Sequence, residues 1–201
     1  MKFISGLFHP LLLASYFLLF LYFYHPVFFS PIPLPQVPKL LFASFVTTFV
    51  IPILSILIMR FTSRISSLSL NEREERLLPF ISIFLFYATT TYLYIFRLGM
   101  KPPLSSMTIA MSILIGILLL TTIWFKISIH AAAAWALAGL MAGILVSFPE
   151  ENLIYKVTAT FLIAGLVSSS RLYLGRHTKK EVWSGTFLGF TIGFLSVLIS
   201  G

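Results

Sequence analysis

Cysteine is absent from this chain of 201 residues, and charged side chains are scarce. The lack of cysteine excludes disulfide bonds, thiolate nucleophiles and cysteine-ligated metal sites. Charged residues make up 10% of the sequence, whereas an ordinary soluble domain contains about 25%. Hydrophobic residues make up 58%, and the mean hydropathy is +0.99. A chain with so few groups that favour water is an integral membrane protein.

Acidic residues are especially few, so the net charge is strongly positive. There are 14 lysines and arginines against 6 acidic residues, which gives +8. In a soluble protein this excess would raise the question of nucleic-acid binding. Here, basic residues at the ends of apolar segments orient the chain and contact anionic head groups. We therefore expect membrane lipids as partners and no nucleic acid.

Apolar runs bounded by charge or proline predict an all-α, multi-pass membrane bundle of about seven transmembrane helices. A helix needs roughly 20 mostly apolar residues to cross a bilayer core. We expect one integral membrane domain over residues 1–201, with two leading helices and a proline-rich loop in 1–60 and a core in 71–201. The predicted helices span about 5–24, 38–60, 78–97, 104–124, 130–148, 152–169 and 182–200.

Prolines mark two places where regular helix is not expected. The segment 25–39 contains five prolines, which predict an extended connection between the first two helices rather than a helix. Pro52 lies inside the second predicted helix and predicts a kink there.

Crossing the membrane at every helix places the amino terminus and three polar loops on one side. The first loop contains NEREERLLP at residues 71–79, and the second contains KISIH at 126–130. The third contains SSSRLYLGRHTKKEVWSG at 168–185. We therefore expect three polar segments, far apart in sequence, to meet at one membrane face.

The third polar loop contains the pattern Ser170-Arg171-x5-His177-x3-Glu181. If a helix begins near His177, the side chains of His177 and Glu181 lie on one face. The carboxylate then accepts a hydrogen bond from one ring nitrogen, which leaves the other nitrogen as a free nucleophile or base. Arg171 adds a planar, permanently charged guanidinium suited to phosphate. The pattern indicates an anion site that contains a nucleophile.

This pattern resembles the third signature of the type 2 phosphatidic acid phosphatase (PAP2) superfamily, in which aspartate normally stands where Glu181 does. The resemblance implies a PAP2-like core and a metal-independent, acid-phosphatase-like lipid phosphatase that needs no cofactor. It implies that His177 attacks phosphorus and forms a phosphohistidine. It further implies that Glu181 orients His177 and that Arg171 binds the phosphate.

Ile127-Ser128-Ile129-His130 resembles the second signature of that family, Pro-Ser-Gly-His, and retains its serine and histidine. The resemblance implies that His130 is the general acid that protonates the leaving group and that Ser128 donates to a phosphate oxygen. Lys126, one turn before His130, is a further candidate for binding the phosphate.

The first family signature, Lys-x6-Arg-Pro, is not present as such, and Arg73, Arg76 and Pro79 are its nearest counterpart. Two interpretations of these arginines stay open. They bind the phosphate of the substrate, or they pair with the neighbouring Glu72, Glu74 and Glu75 in a solvated helical turn.

Other polar and small residues have simpler interpretations. His9 and His25 each precede a proline at the edge of a predicted helix, and we interpret both as structural. Lys179 and Lys180 are interpreted as a topology or lipid-surface signal. The alanine run 131–134 is typical of close helix packing.

These features together favour a lipid phosphatase of the bacterial inner membrane. Its substrate would be a lipid phosphate, such as phosphatidic acid or a polyprenyl phosphate or diphosphate. One alternative is a lipid phosphotransferase that uses the same intermediate. Another is a non-catalytic lipid-binding or transport protein that retains the fold.

Overall fold

The computed structural model describes residues 2–66, 74–149 and 153–200. Within these ranges the chain forms eight helices and no strand, so the prediction of an all-α, multi-pass bundle is confirmed. The helices are α1 (Lys2–Leu7), α2 (Pro10–Tyr24), α3 (Leu34–Phe61), α4 (Leu77–Arg97), α5 (Leu104–Thr121), α6 (Ile129–Ser147), α7 (Ile154–Tyr173) and α8 (Lys179–Ser200).

Five of these helices, α3, α4, α5, α6 and α8, are long and apolar enough to cross a membrane. The other two long segments do not reach that standard. Helix α2 is apolar but has only 15 residues, which at 1.5 Å per residue is about 22 Å against a core of roughly 30 Å. Helix α7 has 20 residues but contains Lys156 and Arg171. Large apolar side chains such as Phe61 and Ile199 are exposed on the outside of the bundle, as expected for a membrane protein.

The first predicted helix, 5–24, is wrong as a single helix, because the chain breaks between α1 and α2. Pro10 takes the first position of α2, where its missing N–H leaves no bond unmade. A residue before proline is disfavoured in the helical region, and His9 has extended backbone angles. The Nδ1 atom of His9 accepts a hydrogen bond from the backbone N–H of Leu11 at 3.4 Å. His9 therefore caps a helix instead of lying within one.

The prolines of the segment 25–39 also act differently from the prediction. Pro26–Phe29 forms a 3-10 turn, and helical structure resumes at Leu34 with prolines in its first turns. The prediction that these prolines exclude a helix was wrong there. The first N–H groups of a helix make no hydrogen bond within it, so a proline at these positions removes none. Immediately before Pro52 the helix opens into a π-helical turn over Val46–Val50; the kink itself stays a prediction.

Helices α6 and α8 pack backbone against backbone. A Cβ atom added at Gly189 would lie 2.0 Å from the carbonyl oxygen of Ala132, and one at Gly193 would lie 2.1 Å from that of Ala136. Only small residues allow two helices to approach this closely. The interpretation of the alanine run as helix packing is confirmed, and the contact fixes the first turns of α6 against the middle of α8.

Candidate active site

Residues from all three polar segments line one cavity near one end of the bundle. Arg76 comes from the turn before α4, His130 from the first turn of α6, Arg171 from the last turn of α7, and His177 from the connection between α7 and α8. The predicted meeting of the three segments is therefore confirmed. Arg73, the remaining candidate from the first segment, lies outside the described residues.

The end of α7 turns the chain so that His177 returns toward Arg171. Gly175 adopts a positive φ of 62°, a conformation that glycine reaches without the steric penalty of a Cβ atom. The N–H of Arg176 donates to the carbonyl of Arg171 at 3.2 Å, and that of Gly175 to Leu172 at 3.0 Å. These two bonds form a Schellman motif. The five residues between Arg171 and His177 thus form a defined helix end.

The start of α8 is a capping box formed by Thr178 and Glu181. The N–H of Glu181 donates to Thr178 Oγ1 at 3.3 Å, and the N–H of Thr178 donates to Glu181 Oε2 at 3.1 Å. Such reciprocal bonds satisfy two backbone donors at a helix start. The pattern Thr-x-x-Glu therefore fixes the position of the Glu181 carboxylate.

The same carboxylate oxygen lies 2.8 Å from Nδ1 of His177, so the predicted pairing of these side chains is confirmed. A carboxylate only accepts hydrogen bonds, so Nδ1 carries the proton and Nε2 of a neutral ring keeps its lone pair. Burial lowers the pKa of His177 to about 4; the hydrogen bond that His177 donates to Glu181 opposes this shift, and the charge of Arg171 reinforces it. At neutral pH the ring is therefore uncharged, with one nitrogen available for attack.

Arg171 presents a buried donor that the described part of the chain does not use. Its Nη1 donates to Ser5 Oγ at 3.4 Å, whereas its buried Nε has no hydrogen-bond partner among the described residues. An unsatisfied buried donor costs about 1–3 kcal/mol. An anion beside Arg171 would remove that penalty.

The short helix α1 supports this arginine. Ser170 Oγ donates to the carbonyl of Val167 at 2.7 Å and lies 3.1 Å from Ser5 Oγ. A hydroxyl has one proton, so Ser5 donates to Ser170 and accepts from Arg171. His130 also hydrogen-bonds to the backbone of Ser5. The first helix thus contacts residues of two signatures.

Arg76 is 4% exposed and lines the cavity. This placement favours the phosphate-binding interpretation of Arg76 over a solvated helical turn. Burial lowers the pKa of Arg76, and the nearby charge of Glu181 opposes that shift. The guanidinium groups of Arg76 and Arg171 therefore line the same cavity, and an anion there would stabilise both.

Ser128 and Lys126 lie beside the cavity rather than in its wall. Ser128 is fully buried and caps α6, since its Oγ accepts from the N–H of Ala131 at 3.5 Å. Its own N–H donates to the carbonyl of Glu181 at 3.1 Å, which ties the second signature to the third. Lys126 acts at longer range, because its charge helps to lower the pKa of His177.

His9 is a site residue that the sequence interpretation missed. It lines the cavity, and its ring centroid lies 5.6 Å from that of His130. Burial lowers its pKa, with a further contribution from Arg171. The capping role agrees with the structural interpretation of His9, but the side chain also lines the cavity. The sequence did contain a signal for this role, because the amino terminus was predicted to lie on the same side of the membrane as the three polar loops.

His25 lies at the other end of α2 and fits its structural interpretation. Its Nε2 atom is 3.0 Å from Nζ of Lys156. The ammonium group also lies over the ring of Tyr24, 4.7 Å from its centroid, in a cation–π contact. These contacts join α2 to α7 away from the candidate site.

Among the described residues, no three His, Asp or Glu side chains lie together in positions that could hold a metal ion. The cavity offers imidazole and guanidinium groups, and the carboxylate of Glu181 lies beside His177.

Comparison with known proteins bears on the carboxyl-terminal part of the chain. The family model described as PAP2 superfamily matches residues 120–201. No curated protein and no solved structure matches the chain significantly. The matched range contains His130 and the whole pattern from Ser170 to Glu181. The resemblance inferred from that pattern is therefore confirmed for residues 120–201, the range that the family model matches.

Proposed function

We propose that this membrane protein is a phosphatase that hydrolyses a lipid phosphomonoester or diphosphate through a phosphohistidine at His177. The family match indicates a phosphatase-type protein. The observation that carries the finer proposal is the hydrogen bond between His177 and Glu181, beside a cavity that His177 shares with Arg76 and Arg171. Location in the bacterial inner membrane stays a prediction.

In the first step, Nε2 of His177 forms a bond to phosphorus while the bond from phosphorus to the lipid oxygen breaks. Glu181 stabilises the positive charge that develops on the imidazole ring. The negative charge of the bound phosphate stabilises a protonated ring at His130. His130 then gives its proton to the departing oxygen, so that the lipid leaves as an alcohol, or as a phosphate from a diphosphate.

In the second step, water replaces the lipid. His130, now neutral, takes a proton from the water as its oxygen attacks phosphorus. The bond between phosphorus and His177 breaks, inorganic phosphate leaves, and both histidines return to their starting states. Throughout, Arg171 and Arg76 offset the charge on the three oxygens of the transferring group, which is the main requirement of phosphoryl transfer.

The direct test is release of inorganic phosphate by the purified protein from a panel that includes phosphatidic acid, single-chain alkyl phosphates and polyprenyl phosphates. We expect release that vanadate inhibits. Transfer of phosphate to an added alcohol without net release would instead indicate a phosphotransferase. Binding of these lipids without turnover would contradict the proposal and favour a non-catalytic protein.

The pH profile reports the state of His177. Because its folded pKa lies near 4, the neutral, nucleophilic form persists below the ordinary histidine value of about 6.5. On the acid side, kcat/KM should fall as pH approaches about 4. Glu181 raises this pKa, so Glu181→Gln should move the acid limb to lower pH as well as lower the maximum rate. Ionisation of the substrate affects the profiles of the original protein and of Glu181→Gln equally. Identical acid limbs in the two proteins would contradict the assignment of this limb to His177.

His9 is expected to contribute a hydrogen bond to the phosphate. Its Nδ1 accepts from Leu11, so a neutral ring carries its proton on Nε2. Loss of a hydrogen bond to a charged group is worth about 1.5–3 kcal/mol, which is roughly tenfold or more. His9→Asn retains a good helix-capping side chain and should lower kcat/KM by at least about tenfold. His25→Asn, at the other end of α2, serves as the control and should keep activity close to the original.

A further inference from the structure

The cavity continues beyond its polar end into an apolar interior. The polar end is formed by His9, Arg76, His130, Arg171 and His177. The remaining wall comes from α2, α4, α5 and α6, with Ile56 from α3, and consists almost entirely of aliphatic and aromatic side chains. We refer to this apolar part as the tail cavity. A charged end continuous with an apolar interior has the polarity of a lipid phosphate.

Helix α5 shows how deep the tail cavity is. Its lining residues fall on one face at spacings of three and four, which is the pattern of a single helix stripe; they are Met107, Ala110, Met111, Leu114, Ile115 and Leu118. From Leu118 to Met107 the helix rises about 16 Å at 1.5 Å per residue. That is about half of the roughly 30 Å hydrocarbon core, or the thickness of one leaflet.

The tail cavity is also narrow. The volume of the whole cavity is about 200 Å³, whereas pockets that enclose a drug-sized molecule have about 300–1,000 Å³. Phe17 and Met107 line its wall and are each 2% exposed, so this part of the wall lies inside the bundle. This space suits one hydrocarbon chain.

The geometry points to a single-chain lipid phosphate as the substrate, with its chain inside the helix bundle and its phosphate between Arg171, Arg76 and the histidines. This inference rests on the proposed function and deepens it. The residues that select the chain lie mostly outside the range 120–201, on α2, α4 and α5. The part of the chain before residue 120 therefore selects the lipid chain, and residues 120–201 contribute most of the groups that act on the phosphate.

The physical basis of this selection is fit rather than affinity. A chain gains little by moving from lipid to an apolar protein interior, since lipid tails are as apolar as leucine. A chain that is too long, in contrast, meets buried side chains such as Phe17 and Met107, and overpacking a closed interior is unfavourable. The tail cavity should therefore impose an upper limit on chain length.

The test is a chain-length series of alkyl phosphates, together with two-chain phosphatidic acid, with kcat/KM measured from phosphate release. Ala110 is 1% exposed and lines the tail cavity, so Ala110→Leu should shorten the longest accepted chain. We expect the ratio of kcat/KM for long chains to that for short chains to fall at least tenfold. Short-chain activity confirms that the variant is folded. The matched control is Ala159→Leu, at an exposed position on α7, which should leave the ratio unchanged.

A second measurement does not depend on turnover. A non-hydrolysable alkyl phosphonate with a photoreactive group at the chain end is cross-linked to the protein, and the labelled peptides are mapped. Labelling within Met107–Met111 or at Phe17 is expected. If the wild type labels there but releases no phosphate, the proposed function fails and the tail cavity stands. Labelling confined to outward-facing residues such as Ile113, or equal turnover of one-chain and two-chain lipids, would overturn this inference.

Discussion

His177→Ala should lower the rate of phosphate release by at least about 10⁴-fold, with substrate binding largely retained. Loss of an essential nucleophile has an effect of this order or larger. In this site, Nε2 of His177 is the nitrogen whose lone pair is left free by the bond from Nδ1 to Glu181. Phosphate release is the measurement, and binding of the alkyl phosphonate shows that the variant retains its cavity.

Two further substitutions calibrate this result. Glu181→Gln retains the size of the side chain but removes the charge that fixes the ring and stabilises its cationic form, and should lower activity by about 10²- to 10⁴-fold. Lys180→Ala removes an exposed charge one residue away and should leave activity within about twofold. A His177→Ala variant with undiminished turnover would rule out the mechanism, whatever the other two variants do.

Gly189→Ala should prevent α6 and α8 from packing. The added Cβ would lie 2.0 Å from the carbonyl oxygen of Ala132, and a backbone atom cannot move aside as a side chain can. Overpacking of this kind costs about 1–3 kcal/mol or more, and 3 kcal/mol would lower Tm by about 6–12 °C in a chain of this size. Because α6 carries His130 and α8 begins beside His177, activity should fall as well. The measurements are thermal unfolding in detergent and phosphate release.

Gly165→Ala on α7 is the matched control. A Cβ at Gly165 meets nothing within 4 Å, and alanine is favoured over glycine in a helix by about 1 kcal/mol. Its Tm should stay the same or rise slightly. Equal stability of the Gly189 and Gly165 variants would show that the close packing of α6 and α8 does not hold the site together.

Local patterns predicted the parts of the site that lie within one helical turn. The spacing of His177 and Glu181 places them on one face of a helix start, and the structure has them bonded there. The helix bounds agree to within a few residues for most segments, because apolar runs of this length have few alternatives in a membrane. The break at Pro10 was missed because apolar residues continue on both sides of it.

Features that depend on packing between distant segments were harder to predict. Arg76 stands beside acidic residues in the sequence, and only the assembled bundle buries it beside the cavity. His9 reaches the site because α1 and α2 pack against the helices α6 and α7. Ser128 is different, since serine before a helix is a common cap, and that simpler role is the one seen.

The most direct test of the central claim is to trap the covalent intermediate. The protein is mixed with a substrate whose phosphate is radiolabelled, and the reaction is quenched in alkali. A phosphorus–nitrogen bond to histidine is stable in alkali, whereas acid cleaves it and releases the label. We expect label on a peptide that contains His177 in the wild type and no label in His177→Ala. Rapid turnover without labelled protein, or label at the same level in His177→Ala, would contradict it.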